Sequence, residues 1–379
     1  MTKRNQAPNR ELRSLNAEEV ESILVEWGHK SYRVTQILGW LYKKRACSID
    51  EMSDLPQELR DQLAGSFLLK PLELAKEQRS RDGTVKFLWR LADGELIESV
   101  LIPASVGMDG NRSDRHTICV SSQVGCAYGC KFCASGLMGY KRNLDASEIV
   151  DQVLAVERWH LAKGGEPAKS QGGLVNNIVM MGMGEPLANY ANLIRALEIF
   201  NSSWGLNIGA RKITVSTSGL APQIRRLAEM PQQYHLAISL HGATDEVRDK
   251  IMPINRKYPL EELISACEAY QQAKGRMIWV EYILIDGVNT ELDQVEALSG
   301  LAKRLQCKVN LIPYNPVDGI ELKRPSDETV GRFRDALYRK GVRVTVRIEK
   351  GTDIDAACGQ LRLKSEKKTV VTQALDQAS

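Results

Sequence analysis

From residue 116 onward the apolar positions fall into two alternating patterns. The runs "TICVSS", "NNIVMMGM", "KITVSTS", "HLAISLH", "MIWVEYILI", "KVNLIPYN" and "VRVTVRIE" are short, β-branched and apolar on both faces. That pattern predicts strands of a parallel sheet buried between helical layers. Between them lie "ASEIVDQVLAVERWH", "YANLIRALEIF", "LAPQIRRLA", "LEELISACEAYQQA", "ELDQVEALSGLAKRL" and "DETVGRFRDALYRK", which repeat their apolar residues at helical spacing. Six or so consecutive strand–helix units, with no GxGxxG after the first strand, favour a full or partial α/β barrel over a dinucleotide-binding sheet. In such barrels the active residues gather at the C-terminal ends of the strands.

Upstream the period differs. "NAEEVESILVEWG" has a helical stripe of Val20, Ile23, Leu24 and Trp27 behind an Asn start. "SYRVTQILGWLYKKRA" repeats that pattern and ends on Lys43, Lys44 and Arg45, which suit a helix C-terminus or a phosphate contact. "DLPQELRDQLAGSF" predicts a third short helix. "TVKFLWRLADGELIESVLIP" then alternates apolar and polar around an Asp-Gly turn, which predicts a β-hairpin. The expected organisation is a small helical accessory domain over 1–75, a hairpin extension over 76–115 carrying Glu98, an α/β core over 116–350, and a C-terminal loop with a polar tail over 351–379.

Composition narrows the setting. The chain has 379 residues, 43% of them apolar, and a formal net charge of +4. A mildly basic balance permits an anionic partner without demanding one. No secretory signal and no apolar run of membrane-spanning length is visible, so a cytoplasmic protein with no membrane partner is expected. There, clustered cysteines point to metal binding or catalysis rather than to structural disulfides.

Three of the eight cysteines lie in "GCAYGCKFCASG", as Cys126, Cys130 and Cys133. On spacing alone they fit either a zinc site still lacking its fourth ligand or three ligands of an iron–sulfur cubane with one iron open. The run follows the first barrel strand. The next exits carry Gly184 and Glu185, then Ser216, then Ser239 with Leu240 and His241, and finally Asn315. A row of small and polar residues at one rim suits a polar ligand with several functional groups. Taken singly, Glu98 is a surface strand carboxylate, Cys119 a core residue, His241 a structural histidine, and Cys358 an inert or a reactive loop thiol. Cys47, Cys267 and Cys307 have structural surroundings.

The C-x3-C-x2-C run with Phe132 before its last cysteine resembles the radical S-adenosylmethionine (SAM) signature. Together with "CVSSQVGC", "KRNL", "VMMGMGEP", "STSG", "AISLH", "PINRKYP", "NLIPYNP" and "GTDIDAACGQL" it is similar to the RlmN/Cfr family of RNA adenine methyltransferases, from about residue 85 to 362. The resemblance implies an α/β fold, a partial (βα)6 radical-SAM barrel with the helical accessory domain and hairpin attached. It implies one 4Fe-4S cluster on Cys126, Cys130 and Cys133, and SAM held by Gly184, Glu185, Ser216, Ser239, Leu240, His241 and Asn315. It further implies Cys358 as the cysteine that becomes S-methylated, Cys119 as the resolving thiol that pairs transiently with it, and Glu98 as proton acceptor.

In that family SAM is used twice. One molecule methylates the cysteine; a second yields the adenosyl radical that activates the methyl group for addition to an aromatic carbon of adenine. The implied substrate is an adenosine of 23S rRNA near the peptidyl-transferase centre, and also a tRNA, with a reductant such as flavodoxin and a monomeric enzyme. Carbon 2, the RlmN position, is the expected target, and carbon 8, the Cfr position, the alternative. A zinc-stabilised RNA-binding protein is the non-enzymatic alternative. One departure stands out: Lys350 lies before "GTDIDAACG" where an Arg-rich lead-in is expected, with Arg347 upstream.

Overall fold

All seven apolar runs form strands, and they pair in the order in which they occur in the chain. The computed structural model describes residues 10–104, 113–165, 173–347, 349–357 and 359–361. Ten strands form one sheet: β1 (Glu73–Arg79), β2 (Val85–Arg90), β3 (Leu96–Pro103), β4 (His116–Cys119), β5 (Asn177–Met180), β6 (Ile213–Thr217), β7 (His235–Ser239), β8 (Trp279–Leu284), β9 (Lys308–Pro313) and β10 (Arg343–Val346). Their spatial order runs from β1 at one edge to β10 at the other. Strands β4 to β10 are parallel, and β1 to β4 pair antiparallel. The predicted hairpin is thus β2–β3, turned at Asp93-Gly94, and it continues the barrel sheet beyond β4.

Helices α1 (Ala17–Glu26), α2 (Tyr32–Leu38) and α3 (Gln57–Ser66) make the N-terminal block. The crossovers of the parallel sheet carry α4 (Ala146–Ala162), α5 (Tyr190–Asn201), α6 (Ala221–Glu229), α7 (Asp245–Ile251), α8 (Leu260–Lys274), α9 (Leu292–Arg304) and α10 (Asp327–Arg339). Local chemistry sets their ends. Asn16 caps α1 reciprocally with Glu19, at 2.9 and 2.8 Å. Gly275 ends α8 at φ 59°. The second predicted helix does not stay regular. After Leu38 the turn widens, and the Lys44 N–H reaches back five residues to the Gly39 carbonyl.

The outer face of β2–β3 is covered by α4, where Phe87 stacks on Trp89 and meets the edge of Trp159. The N-terminal block docks on the same helix through charge. Arg13, fully buried, lies 2.9 Å from Asp151, and Arg158 grips Asp151 from its other side at 3.0 Å. Burial opposes ionisation of Asp151, but the two guanidinium groups hold it below the usual carboxylate range. Arg45, at the end of the basic run, pairs with Glu157 at 3.2 Å, and Lys44 lies over Trp40. These two therefore serve docking and a solvated helix end. Among the described residues no helix is long and apolar enough to cross a membrane.

Removing one member of a buried ion pair strands its partner. Asp151→Asn is expected to lower unfolding stability by about 3–5 kcal/mol, measured by denaturant titration, whereas Lys44→Ala on the exposed end should change it by less than about 1 kcal/mol.

Candidate active site

The loop that carries the three cysteines hangs between two short antiparallel strands, Gln123–Gly125 and Tyr140–Asn143. Its mouth tolerates only glycine at one position. Gly125 has φ +74°, and a Cβ there would lie 1.9 Å from the Gly139 carbonyl oxygen. That carbonyl also accepts the Cys126 N–H, at 3.0 Å. Midway, the Lys131 N–H donates to the carbonyl of Ile251, the last residue of α7 (2.9 Å). At the far end the Ala134 N–H, opening a short helical turn after Cys133, donates to the Gly359 carbonyl at 2.7 Å. The C-terminal segment is therefore fastened directly to the cysteine loop.

Cys126, Cys130 and Cys133 line one cavity with Gly184, Glu185, Ser216, Ser239 and His241. Burial pushes the Cys126 thiol up to about 12 and the Cys130 thiol well above its ordinary value, and the neighbouring acidic groups of Cys133 and Glu185 push both in the same direction. Such thiols ionise only beside a strong cation. Glu185 is nearly inaccessible. Its Oε2 accepts from the Ser218 N–H and Oγ at 2.7 and 2.8 Å, and its Oε1 from the Leu187 N–H at 3.1 Å. Burial still raises its pKa. Gly184 before it has φ +95°, and a Cβ there would meet Gln123 at 2.5 Å. Ser216 and Ser239 face each other across β6 and β7, with their hydroxyls 3.5 Å apart.

His241 follows β7 in a left-handed conformation, φ 57°. The Ile283 N–H donates to its Nδ1 at 3.0 Å, which leaves the ring proton on Nε2. Burial, with Arg248 adding to it, depresses its pKa to about 3. Leu240 lines neither this cavity nor its neighbour; its N–H donates to the Glu281 carbonyl and its own carbonyl accepts from Arg248.

A second cavity of about 300 Å³ adjoins the first and shares Met181, Ile312 and Arg347 with it. It is lined by Val100, Cys119, Asn315, Lys350, Ala356 and Ala357 among others. Asn315, expected beside SAM, thus lines the cavity of Cys119. Glu98 is fully buried rather than a surface carboxylate. Strand register explains why. Lys86 pairs with Val100, Leu88 with Glu98, and Val100 with Cys119, so all five side chains project to the sheet face that carries this second cavity. Lys86 Nζ lies 3.7 Å from Glu98 Oε1. Cys358 lies outside the described residues, and with it the pairing with Cys119. Its described neighbours are Ala357, which lines the second cavity, and Gly359, which lines the first. Lys350, the departure noted above, donates to the Pro103 carbonyl at 2.6 Å.

Comparison with known proteins decides the family. Residues 10–69 match the ribosomal RNA large subunit methyltransferase N-terminal domain, and residues 169–297 match the radical SAM superfamily. A probable dual-specificity RNA methyltransferase RlmN of Akkermansia muciniphila is 50% identical over 93% of this chain and 95% of its own length. A second such protein, RlmN 3 of Opitutus terrae, is 54% identical over 95% and 97%. The chain belongs to the RlmN family. The crystal structure of a radical SAM methyltransferase from Sphaerobacter thermophilus, 46% identical, superposes with a TM-score of 0.85 over 93% of this chain and 99% of the other. As an RlmN-family member the chain is a SAM-dependent RNA methyltransferase, and the superfamily's cofactors are a 4Fe-4S cluster and SAM. The zinc-stabilised binding protein is thereby set aside.

The residues present fit those cofactors. Among the described residues no three His, Cys, Asp or Glu side chains converge closely enough to hold a single metal ion. A cubane gives each thiolate its own iron, so its cysteines need only ring one cavity, and these three do. The cavity also keeps an acceptor in reserve. Glu281 on β8 is 5% exposed; its Oε1 accepts from Asn310 at 2.9 Å, while its Oε2 has no hydrogen-bond partner among the described residues. SAM carries ammonium and hydroxyl donors that such an oxygen needs.

Sequence reading missed the groups that hold the RlmN-family rim together. Arg248 on α7 is fully buried and donates to the carbonyls of Ser218 (3.0 Å), Ser239 (3.4 Å) and Leu240, and to Asn255 Oδ1 at 2.8 Å. Asn289 donates to the carbonyls of His241 and Ile283 at 2.7 and 2.6 Å and so holds the left-handed turn. Helix α7 is short and mostly polar, so its periodicity is faint. The signal available was "PINRKYP", whose Asn255 has no role as a surface residue.

Because the folded pKa of His241 lies below its unfolded value of 6.5, the unfolded chain binds the extra proton between pH 6.5 and about 3. The stabilisation is fully present above pH 6.5 and is lost as pH falls below it. Unfolding titrations of His241→Gln should show a shallower loss of stability over that acid range than the wild type; equal slopes would contradict the neutral ring.

Proposed function

We propose that the chain methylates carbon 2 of an adenosine in 23S rRNA, and of a tRNA adenosine, carrying the methyl group on Cys358 and consuming two SAM per turnover. The observation that carries this reading is the bond from the Ala134 N–H to the Gly359 carbonyl. It fastens the segment that bears Cys358 to the cysteine loop, while Ala357 reaches the cavity of Cys119.

The roles divide as follows. The cluster and SAM supply the methyl group and the radical that activates it; the protein supplies binding, orientation and exclusion of water. Cys126, Cys130 and Cys133 hold the cluster. Glu185, Ser216, Ser239 and His241 are the side chains offered to SAM, with Gly184 allowing close approach. The backbone around Leu240 completes that wall, and Asn315 takes its place at the seam with the second cavity. The target base, unstacked from its loop, enters the second cavity. Arg115, Arg347 and Lys350 at that cavity set positive charge where the RNA backbone passes. The Cys358 thiolate takes a methyl group and presents it to the base. Glu98 accepts the ring proton. The Cys119 thiolate then attacks the sulfur of the protein–RNA adduct and breaks its S–CH2 bond, which leaves a Cys119–Cys358 disulfide; the departing carbon takes up a proton and becomes the methyl group of the released base.

The helical block over residues 10–69 is the further RNA-holding surface, and its match to an rRNA methyltransferase N-terminal domain supports that. An electron donor such as flavodoxin serves the cluster, and the chain acts as a monomer in the cytoplasm. Carbon 2 over carbon 8 rests on the relatives being RlmN proteins.

Mass spectrometry of rRNA and tRNA nucleosides after anaerobic incubation with SAM and a reductant tests the reading. 2-Methyladenosine in both is expected; 8-methyladenosine would overturn the ring position, and modified rRNA alone would remove the tRNA half. Cys119→Ala should accumulate a covalent protein–RNA adduct, seen as a nuclease-sensitive gel shift. Release of methylated RNA at the wild-type rate would remove the resolving role of Cys119.

A further inference from the structure

The turn between β1 and β2 clasps the chain just ahead of Cys358. Asp82 Oδ1 accepts the Thr84 N–H at 2.8 Å, which sets the turn, and its Oδ2 accepts the Gly351 N–H at 2.9 Å. The Arg81 N–H donates to Asp353 Oδ2 at 3.2 Å. Gly351, at φ +68°, sits so close that a Cβ would lie 2.7 Å from Ala356 Cβ and 3.0 Å from Thr84 Cγ2. Four residues past Asp82, Lys86 projects from β2 into the same interior. It is 5% exposed, and its Nζ has two described partners: the Asp355 carbonyl oxygen at 3.1 Å and Glu98 Oε1 at 3.7 Å. A buried ammonium is costly unless paired, and an apolar chain of similar length would fill the space at least as well. The charge therefore serves something other than packing.

We propose that Lys86 is a positioning residue that registers the docked C-terminal segment against Glu98. One ammonium holds the Asp355 carbonyl and faces the Glu98 carboxylate, so the proton acceptor is aligned only while the segment bearing the methyl carrier is docked. The inference rests on the roles given above to Glu98 and Cys358. It adds that neither is in working position without the other: withdrawal of the segment removes the nearer partner of Lys86 and shifts its ammonium against Glu98. Lys86 itself touches neither the base nor SAM, and transfers no proton.

The test is a double-mutant cycle on the full-length, cluster-loaded enzyme with Lys86→Met, Lys86→Arg, Glu98→Gln and Lys86→Met with Glu98→Gln. Two readouts are taken: S-methylation of Cys358, by mass of its tryptic peptide, and methylated RNA. Lys86→Met should retain Cys358 methylation to within about threefold yet lose RNA product by on the order of tenfold to a hundredfold. Lys86→Arg should recover part of that loss. The double variant should lose far less than the product of the two single losses, because most of the Lys86 effect on product passes through Glu98. Hydrogen exchange over residues 350–357 should quicken in Lys86→Met and stay unchanged in Glu98→Gln. Losses that multiply in the double variant overturn the inference, as does an equal fall in both readouts, which would mark a merely structural lysine. Unchanged exchange overturns the docking half. Full activity of Glu98→Gln would instead sink the role assigned to Glu98 itself.

Discussion

A single buried guanidinium holds the working rim of this barrel together. Strand exits are where a parallel sheet runs out of partners, so their carbonyls face a cavity with nothing to satisfy them. Arg248 answers three of these carbonyls at once, from Ser218 after β6 and from Ser239 and Leu240 at β7. The same helix that carries it ends at Ile251, whose carbonyl receives the Lys131 N–H of the cysteine loop. Rim, cavity wall and cysteine loop thus share one anchor. Burial lowers the pKa of Arg248 to about 10, yet it remains charged at any ordinary pH, so the anchor does not titrate away.

Around that anchor the protein separates two environments by strand register alone. Residues that occupy one face in register, Ser239, Glu281, Asn310 and Thr345, form a polar row across β7 to β10. Residues on the same face of β2 to β4, namely Lys86, Glu98, Val100 and Cys119, form a second row around the antiparallel extension. The two rows serve adjoining cavities, and Met181, Ile312 and Arg347 stand between them. Two adjoining pockets are in this way built from one sheet, with Ala357 of the C-terminal segment in one and Gly359 in the other.

Much of this was legible in the chain. The seven parallel strands and six longer covering helices followed from two clear periods, and the barrel rule then located the exits that became the first cavity. Glu98 was legible only through family resemblance: in a hairpin of alternating pattern its burial depends on which face the rest of the chain covers. Asn315 was placed with its exit correctly, but a cavity boundary is not written in strand spacing. Arg248, Asn289 and Glu281 escaped because a buried polar group is identified by its partners, which lie 4 to 48 residues away in the hydrogen bonds that satisfy them. Short, mostly polar α7 offered no apolar stripe to announce that one of its residues is core.

The strictly sequential strand order has a consequence for how the enzyme comes into being. Each new strand adds beside the one made just before it, so the sheet can grow from β1 to β10 as the chain leaves the ribosome. The contacts that join its opposite ends, Asp82 to Gly351 and Lys86 to Asp355, span 269 residues and cannot form until residue 355 has been made. The segment that lines the second cavity through Ala356 and Ala357 therefore docks only after all ten strands have been made.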